Sequence, residues 1–356
     1  MVNALVIADL ELPEVDVERV AFDTFWARSR FALVVQGLNL VANVRGAIDE
    51  IVRDGGFATF LSCTWQGHFG GSLVVFKDPW YRSRGRDDVA CFGLVTASNT
   101  AMLDVLVNAA RREARSNGFD VIRGPVNPPR SLFGYGVQAS GFDTAMIAGS
   151  AADPVDYHAM FAELDEGGTF DGKDTYHNLL QNFDKTLAYI DSIDLDRNFQ
   201  VVNPDLDNLG KLPEQVANLM NDTLGNRPDY QATSAERLGE SSAMYKIVPG
   251  GNRLLAFYFD GNTLAGGVIM QPDWFQVLAG KPMTTVVGDI YMLAPAYQGR
   301  RLFMNFSEYS IRVLQDRGIG RLEHASIWEE KGAVMSSVKN GYASIIKTYH
   351  VYELRA

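Results

Sequence analysis

The stretch LAPAYQGRRLFMNF, which begins at Leu293, has the features of a phosphate-binding turn. An apolar strand end leads through a proline turn to polar residues around one glycine, and an apolar helical pattern follows. The free N–H groups and the dipole at a helix start favour an anion, and arginine binds phosphate with charge-assisted hydrogen bonds. We therefore predict phosphate binding by Gln298, Gly299, Arg300, Arg301 and Leu302. The structural alternative is that the two arginines only cover the start of the helix.

The elements that would position this turn occur twice in the sequence. Residues 60–76 and 254–270 each read as a β-hairpin that carries a glycine pair. Each hairpin is followed by an apolar strand, by a helix that ends at Asn-Gly or Arg-Gly, and by another strand. The second copies of Gly71 and Gly118 are Gly267 and Gly318, so the offsets are 196 and 200 residues. Two similar offsets indicate one unit used twice, although such elements also recur by chance.

The predicted fold class is therefore α+β, with two tandem units that each form a mixed, mostly antiparallel sheet flanked by helices. The polar segment from Ser192 to Asp205 is the expected seam. We predict an N-terminal domain over residues 1–195 and a C-terminal domain over residues 196–356.

Composition excludes several classes of protein. The 356 residues are 47% hydrophobic and 21% charged, which is typical of a globular protein with room for two domains. A formal net charge of -11 disfavours nucleic acid as a partner. Cys63 and Cys91 lie in apolar runs and are expected in the core, and the five histidines are isolated, so we predict no metal. No apolar run is long enough to span a bilayer and the N-terminus is acidic, which predicts a cytoplasmic protein.

Several fragments resemble a known family. The strand, turn and helix of VVGDIYMLAPAYQGRRLFMNF, with RLEHASIW and GYASIIKTYHVYEL after them, resemble the GNAT acyl-CoA N-acyltransferase fold. IRGPVN, SGFD, KDTYH, ASIWEE and KTYHVYE make the whole chain similar to the tandem-GNAT family that includes bacterial ceramide synthases. This resemblance implies an enzyme that transfers an acyl group, often a long one, from CoA to an amine of a lipid or other small molecule.

The resemblance also implies roles for individual residues. Asp289, on the strand before the turn, is expected to be the catalytic base, and His324, on the following strand, is a second catalytic candidate. The backbone at Leu293 or Ala294 is expected to bind the acyl-CoA and its thioester oxygen, because a diverging strand leaves N–H groups unpaired. In the first unit, Arg123 and Asn127 are candidates for substrate binding, with a structural turn at RGP as the alternative.

The sequence departs from the GNAT pattern at the turn itself. Arg301 and Phe303 stand where the family has small residues, and Ser337 stands where many members have a tyrosine acid. Two interpretations follow: either the arginines replace main-chain contacts to CoA, or the turn no longer binds CoA. The leading function is an acyl-CoA-dependent N-acyltransferase. The alternatives are a catalytically silent protein that binds a ligand or partner, and an aminoacyl-tRNA-dependent transferase; oligomeric state stays open.

Overall fold

The computed structural model describes residues 15–29, 34–35, 38–150, 153–330 and 332–356. Up to residue 191 its elements are β1 (Val15–Val20), α1 (Phe22–Arg28), β2 (Val34–Val35), β3 (Leu38–Asn39), α2 (Val41–Arg53), β4 (Phe57–Trp65), β5 (His68–Lys77), β6 (Tyr81–Arg82), β7 (Val89–Ala97), α3 (Thr100–Ser116), β8 (Val121–Gly124), α4 (Arg130–Phe133), β9 (Val137–Ser140), α5 (Val155–Glu166), β10 (Gly172–Gln181) and α6 (Phe183–Asp191).

From residue 200 onward the elements are β11 (Gln200–Val202), α7 (Leu212–Leu224), β12 (Tyr230–Gln231), α8 (Ala235–Ala243), β13 (Leu255–Asp260), β14 (Thr263–Pro272), α9 (Trp274–Leu278), β15 (Thr285–Leu293), α10 (Leu302–Asp316), β16 (Arg321–Trp328), α11 (Gly332–Lys339) and β17 (Ala343–Arg355). Runs of antiparallel strands are separated by helices, and helices flank a large, mostly antiparallel sheet. The predicted α+β class is confirmed.

Thirteen strands form one continuous sheet. Their order is β1-β4-β5-β7-β8-β17-β10-β16-β15-β14-β13-β11, with β9 beside β17. Its two parallel pairs are β7 with β8 and β15 with β16, and each pair is connected through one long helix, α3 or α10. The hairpin, strand, helix and strand predicted twice from the sequence are therefore both present, which confirms the tandem arrangement.

The two units exchange a strand at the centre of the sheet, which the sequence did not predict. β10 precedes the seam but pairs with β16 of the second unit, and β17 ends the chain but pairs with β8 of the first. β10 and β17 also pair with each other. The structure thus has one shared sheet where two separate sheets were expected. The boundary after residue 195 lies in the loop between α6 and β11, and as a division into domains it stays a prediction.

Local sequence signals account for the helices that follow the parallel strands. α3 and α10 end directly before the Asn-Gly and Arg-Gly pairs that were predicted to terminate them. Gly118 and Gly318 follow these helices with φ of 84° and 70°, a conformation that only glycine adopts without cost. These helices pack apolar faces on the sheet, where Cys63 and Cys91 are buried with free thiols.

No helix within the described ranges is long and apolar enough to cross a membrane. The cytoplasmic location stays a prediction.

Candidate functional site

The strands β15 and β16 separate midway along their length. They pair in parallel only from Thr285 to Gly288 and from Arg321 to His324, although β15 continues to Leu293 and β16 to Trp328. Beyond this point the two strands leave a gap in the sheet. The gap opens at the residue where the sequence predicts the catalytic base.

Asp289 is the extra residue of a β-bulge. Ile269 of β14 lies opposite Ile290, but the next residue, Met270, lies opposite Gly288. A bulge re-aims the side chain at the irregular position, and such bulges are frequent next to active sites. The bulge therefore turns the Asp289 carboxylate out of the regular alternation of β15.

A chain of hydrogen bonds orients this carboxylate. Gln271 donates its side-chain Nε2–H to Oδ2 of Asp289, and its own Oε1 accepts from Trp274 Nε1 at 3.1 Å. Trp274 is buried, so the chain is anchored in the core. Asp289 itself is half-buried. One face of the carboxylate is thus fixed by protein, while the side chain still borders open space.

Asp289 lines three cavities. The apolar cavity, of about 400 Å³, lies under α7 and α8 and is lined by Leu212, Val216, Leu238, Met244, Tyr245, Phe257, Ile269, Trp274 and Ile290, among others. The interface cavity, of about 110 Å³, lies between the two units and includes Arg130, Tyr135, Tyr176, Arg227, Asp229 and Tyr230. The gap cavity, of about 70 Å³, includes Gln181, Arg227, Tyr291, Phe303, His324, Ser337 and Tyr342.

His324 lies in the gap cavity with Asp289, so the structure brings the two predicted catalytic residues together. Its Nε2 is 2.9 Å from Oε1 of Gln181, and this bond assigns the ring proton to Nε2. Burial lowers the pKa of His324 to about 4, so the ring is neutral at pH 7. Gly288 makes room for it, since a Cβ there would lie 2.5 Å from the His324 Nδ1. Catalytic roles for both residues stay predictions.

The predicted phosphate turn has the expected backbone. A 3₁₀ turn, Pro295–Tyr297, leads to Gly299 at φ 82° and Arg301 at φ 57°, and α10 begins at Leu302. Gln298 is exposed, whereas Leu302 is buried and offers the turn only its backbone. The geometry is that of an open helix start.

Acidic side chains approach the same turn. Arg300 pairs with Asp196, and its Nη1 lies 3.8 Å from Asp260. Arg301 donates from Nη1 to the backbone carbonyl of Asp194 at 3.4 Å. The hydrogen bond from Arg300 holds the pKa of Asp196 below its ordinary value. Part of the positive charge at the turn is therefore already neutralised by the protein.

One expectation about the strand end is wrong. The N–H of Ala294 is not free, because it donates to the carbonyl of Ala265 at 2.9 Å and so continues the ladder with β14. A diverging strand loses partners on one side only, and Ala294 faces the side that stays paired. The role predicted for Leu293 is untested.

Arg123 is the centre of a buried ion-pair network. Its side chain is 1% exposed and donates from Nε and Nη2 to both oxygens of Asp229, at 3.0 and 2.7 Å. It also donates to Asp174 at 2.8 Å and to Glu353 at 2.9 Å. Tyr176 donates to Asp229 at 2.5 Å. These partners come from both units, so the network joins them; a contact between Arg123 and a substrate stays a prediction.

Asn127 occupies the corresponding gap of the first unit. β7 and β8 pair only over three residues, and beyond them the buried Asn127 accepts at Oδ1 from the N–H of Leu94 at 2.9 Å. Its side chain thus occupies the backbone donor of Leu94 in this gap. This gap is filled by protein, and a substrate role for Asn127 stays a prediction.

Four residues that line the site were missed from the sequence: Gln181, Gln271, Arg130 and Arg227. Gln271 follows an apolar run in β14, a signal that was available, whereas Gln181 ends a strand that carries several other polar residues. The arginines lie in loop-flanked segments of different units, and only the three-dimensional fold brings them to one cavity. No group of three or more His, Cys, Asp or Glu side chains that could hold a metal occurs among the described residues.

Comparisons with known proteins identify the fold. No family model and no curated protein sequence matches the chain. Among solved structures, it is similar to a GCN5-related glucosamine N-acetyltransferase region of a fungal multi-domain GH3 beta-N-acetylglucosaminidase. The identity is 12%, the match covers 96% of this chain and 38% of that one, and the TM-score is 0.57.

Two bacterial structures are matched over more of their length. A GCN5-related N-acetyltransferase from Sphaerobacter thermophilus is 9% identical, with 96% of this chain and 95% of that chain covered and a TM-score of 0.54. A probable N-acyltransferase from Enterococcus faecalis V583 is 7% identical, with 96% and 72% covered and a TM-score of 0.53. At such identities the likeness shows the fold alone: the chain has a tandem GNAT-like fold.

Proposed function

We propose that this protein is an acyl-CoA-dependent N-acyltransferase that acts on an amine held beside Asp289. The observation that carries the proposal is the position of Asp289, on a bulge where β15 and β16 separate and where three cavities meet. A transferase of this kind must bring a thioester and an amine to one base. The site offers a carboxylate that both can approach.

In this proposal the gap cavity receives the thioester end of acyl-CoA, and the open start of α10 receives its phosphates. Backbone N–H groups at the strand gap are suited to the developing oxyanion, and Leu293 is the candidate donor. Asp289 removes the proton from the ammonium, so that the free amine attacks the thioester carbon and the thiolate leaves. Tyr342, half-buried in the gap cavity, is the candidate acid for that thiolate.

His324 has a different role in this proposal. A ring with a pKa of about 4 is a weak base, and its Nε2–H is engaged with Gln181. We assign it to shaping the gap cavity as a neutral group. The apolar cavity, whose volume is within the range of ligand pockets, would hold an apolar part of the acceptor or of the acyl chain. In its finer form the proposal takes a long acyl chain as the donor group, and the amine of a lipid-like or other small molecule as the acceptor.

Calorimetric titration with acetyl-CoA and with palmitoyl-CoA tests this function. We expect one thioester to bind, and the Arg301→Ala variant to weaken that binding because a cation beside the phosphates is lost. Arg112→Ala, which removes an exposed arginine of α3, is the matched control and should bind like the wild type. Binding of neither thioester would exclude the proposal.

A second function, a catalytically silent ligand-binding protein, has one observation in its favour. Asp196 and Asp260 lie against Arg300 at the turn where CoA phosphates would bind, and carboxylates repel phosphate. The titration separates the two, because the silent protein would not bind CoA thioesters. The aminoacyl-tRNA-dependent reaction has no comparable support in the site.

A further inference from the structure

We propose that the interface cavity is a carboxylate-binding site formed by Arg130 and Arg227, and that the amine acceptor is consequently an amino acid. That the ligand is the acceptor of an acyl group rests on the proposed function. The anion site itself stands on the geometry of the two arginines.

Both arginines lack a carboxylate partner. Arg130 and Arg227 line the same cavity of about 110 Å³, and among the described residues neither has a carboxylate oxygen within 4.0 Å. The Nε of Arg130 is buried without a hydrogen-bond partner. A guanidinium N–H that is buried without a partner is unfavourable, because it loses water and gains no counter-charge. The pair is therefore poised for an anionic ligand.

Tyrosines and few acids surround these arginines. Tyr135, Tyr176 and Tyr230 line the cavity, and the Arg130 guanidinium lies 5.8 Å from the Tyr135 ring centroid. The one other acid in the cavity besides Asp289 is Asp229, and Asp229 is fully engaged in the network around Arg123. Two cations thus face one available carboxylate, and a ligand carboxylate supplies the missing charge.

Asp289 fixes where the amine lies relative to that carboxylate. It lines the interface cavity together with both arginines, so one compact molecule can place an ammonium at Asp289 and a carboxylate at the arginines. The apolar cavity begins at the same carboxylate and accommodates an apolar side chain. An amino acid with an apolar side chain supplies an ammonium for Asp289, a carboxylate for the arginines and an apolar group for the apolar cavity. Arg130 comes from the first unit and Arg227 from the second, so the site needs both.

Calorimetric titration in the absence of acyl-CoA tests the site with three probes. Phenylalanine carries all three groups, phenethylamine lacks the carboxylate, and 3-phenylpropanoate lacks the amine. We expect phenylalanine to bind at least tenfold more tightly than phenethylamine. Arg227→Met and Arg130→Met should remove that difference, whereas Asp289→Asn should retain it and Arg82→Met, an exposed control, should change nothing.

The proposal is overturned if no probe binds, if the wild type binds phenylalanine and phenethylamine equally, or if both arginine variants still discriminate between them. Thermal unfolding of each variant shows whether it is folded, and either arginine variant alone suffices for the test. Because no acyl donor is present, carboxylate-dependent binding without any later acyl transfer would keep the anion site and refute only the transferase.

Discussion

Replacing Arg123 by methionine should destabilise the protein severely, because the guanidinium neutralises acids that are buried with it. Asp229 has no exposed side-chain surface and receives two hydrogen bonds from Arg123, while Asp174 and Glu353 each receive one. Removing one partner of a buried pair costs about 3–5 kcal/mol, since the other charge is left uncompensated. For a protein with about 5–15 kcal/mol of stability, this loss is large.

Urea denaturation followed by tryptophan fluorescence measures the change in the free energy of unfolding. Arg112→Met, on the exposed surface of α3, is the control and should change stability by less than about 0.5 kcal/mol. Adding Asp229→Asn to Arg123→Met should restore part of the loss, because one uncompensated charge disappears. A loss below about 1 kcal/mol in the single variant would refute the reasoning and return Arg123 to the candidates for substrate contact.

Three further predictions concern the second unit. Gly288→Ala places a Cβ 2.5 Å from Nδ1 of the buried His324, so the free energy of unfolding should fall by about 1–3 kcal/mol in urea denaturation. Gly172→Ala, where no atom lies within 4 Å of the new Cβ, is the control and should be tolerated. Equal losses in the two variants would contradict the close contact between Gly288 and His324. Burial lowers the pKa of His324 to about 4 from an ordinary 6.5, so as the pH falls the unfolded chain binds the proton before the folded protein does. The free energy of unfolding should therefore fall by up to about 3 kcal/mol between pH 6.5 and 4. His324→Gln should not show this pH-dependent loss. Asp196→Asn releases Arg300 and should tighten CoA binding with a steeper salt dependence, and unchanged affinity would show that Arg300 does not contact phosphate.

Burial raises the pKa of Asp229, but the charge of Arg123 and the hydrogen bonds from Arg123, Tyr176 and Tyr81 outweigh it and hold that pKa below its ordinary value. A carboxylate with a lowered folded pKa contributes stability above its unfolded pKa and loses that contribution as the pH falls through the folded value. The network is therefore intact at neutral pH and should fail below about pH 4.

Features set by local sequence could be predicted. Asp260-Gly261 marks a hairpin turn, Arg317-Gly318 ends a helix, and the apolar pattern after Arg301 begins one, because each depends on the backbone preference of one or two residues. The position of Asp289 before the turn follows from the same order of elements.

Features set by distant contacts could not be predicted. The exchange of β10 and β17 depends on pairing between segments more than 150 residues apart, and periodicity carries no information about such partners. Likewise, the ion pair of Asp196 with Arg300 and the cavity shared by Arg130 and Arg227 depend on how the chain between these residues folds.

The central claim is that Asp289 is the base of an N-acyl transfer, and the most direct measurement is product formation by Asp289→Asn. With the acyl-CoA that binds and phenylalanine or phenethylamine as acceptor, mass spectrometry of the N-acyl product gives the turnover rate. Asn keeps the hydrogen bond from Gln271, so the variant should fold normally while its rate falls by about 100-fold or more, as expected for loss of a general base. Asp222→Asn, the same change at an exposed position of α7, should keep the wild-type rate. A wild-type rate in Asp289→Asn, or no N-acyl product from the wild type, would contradict the account.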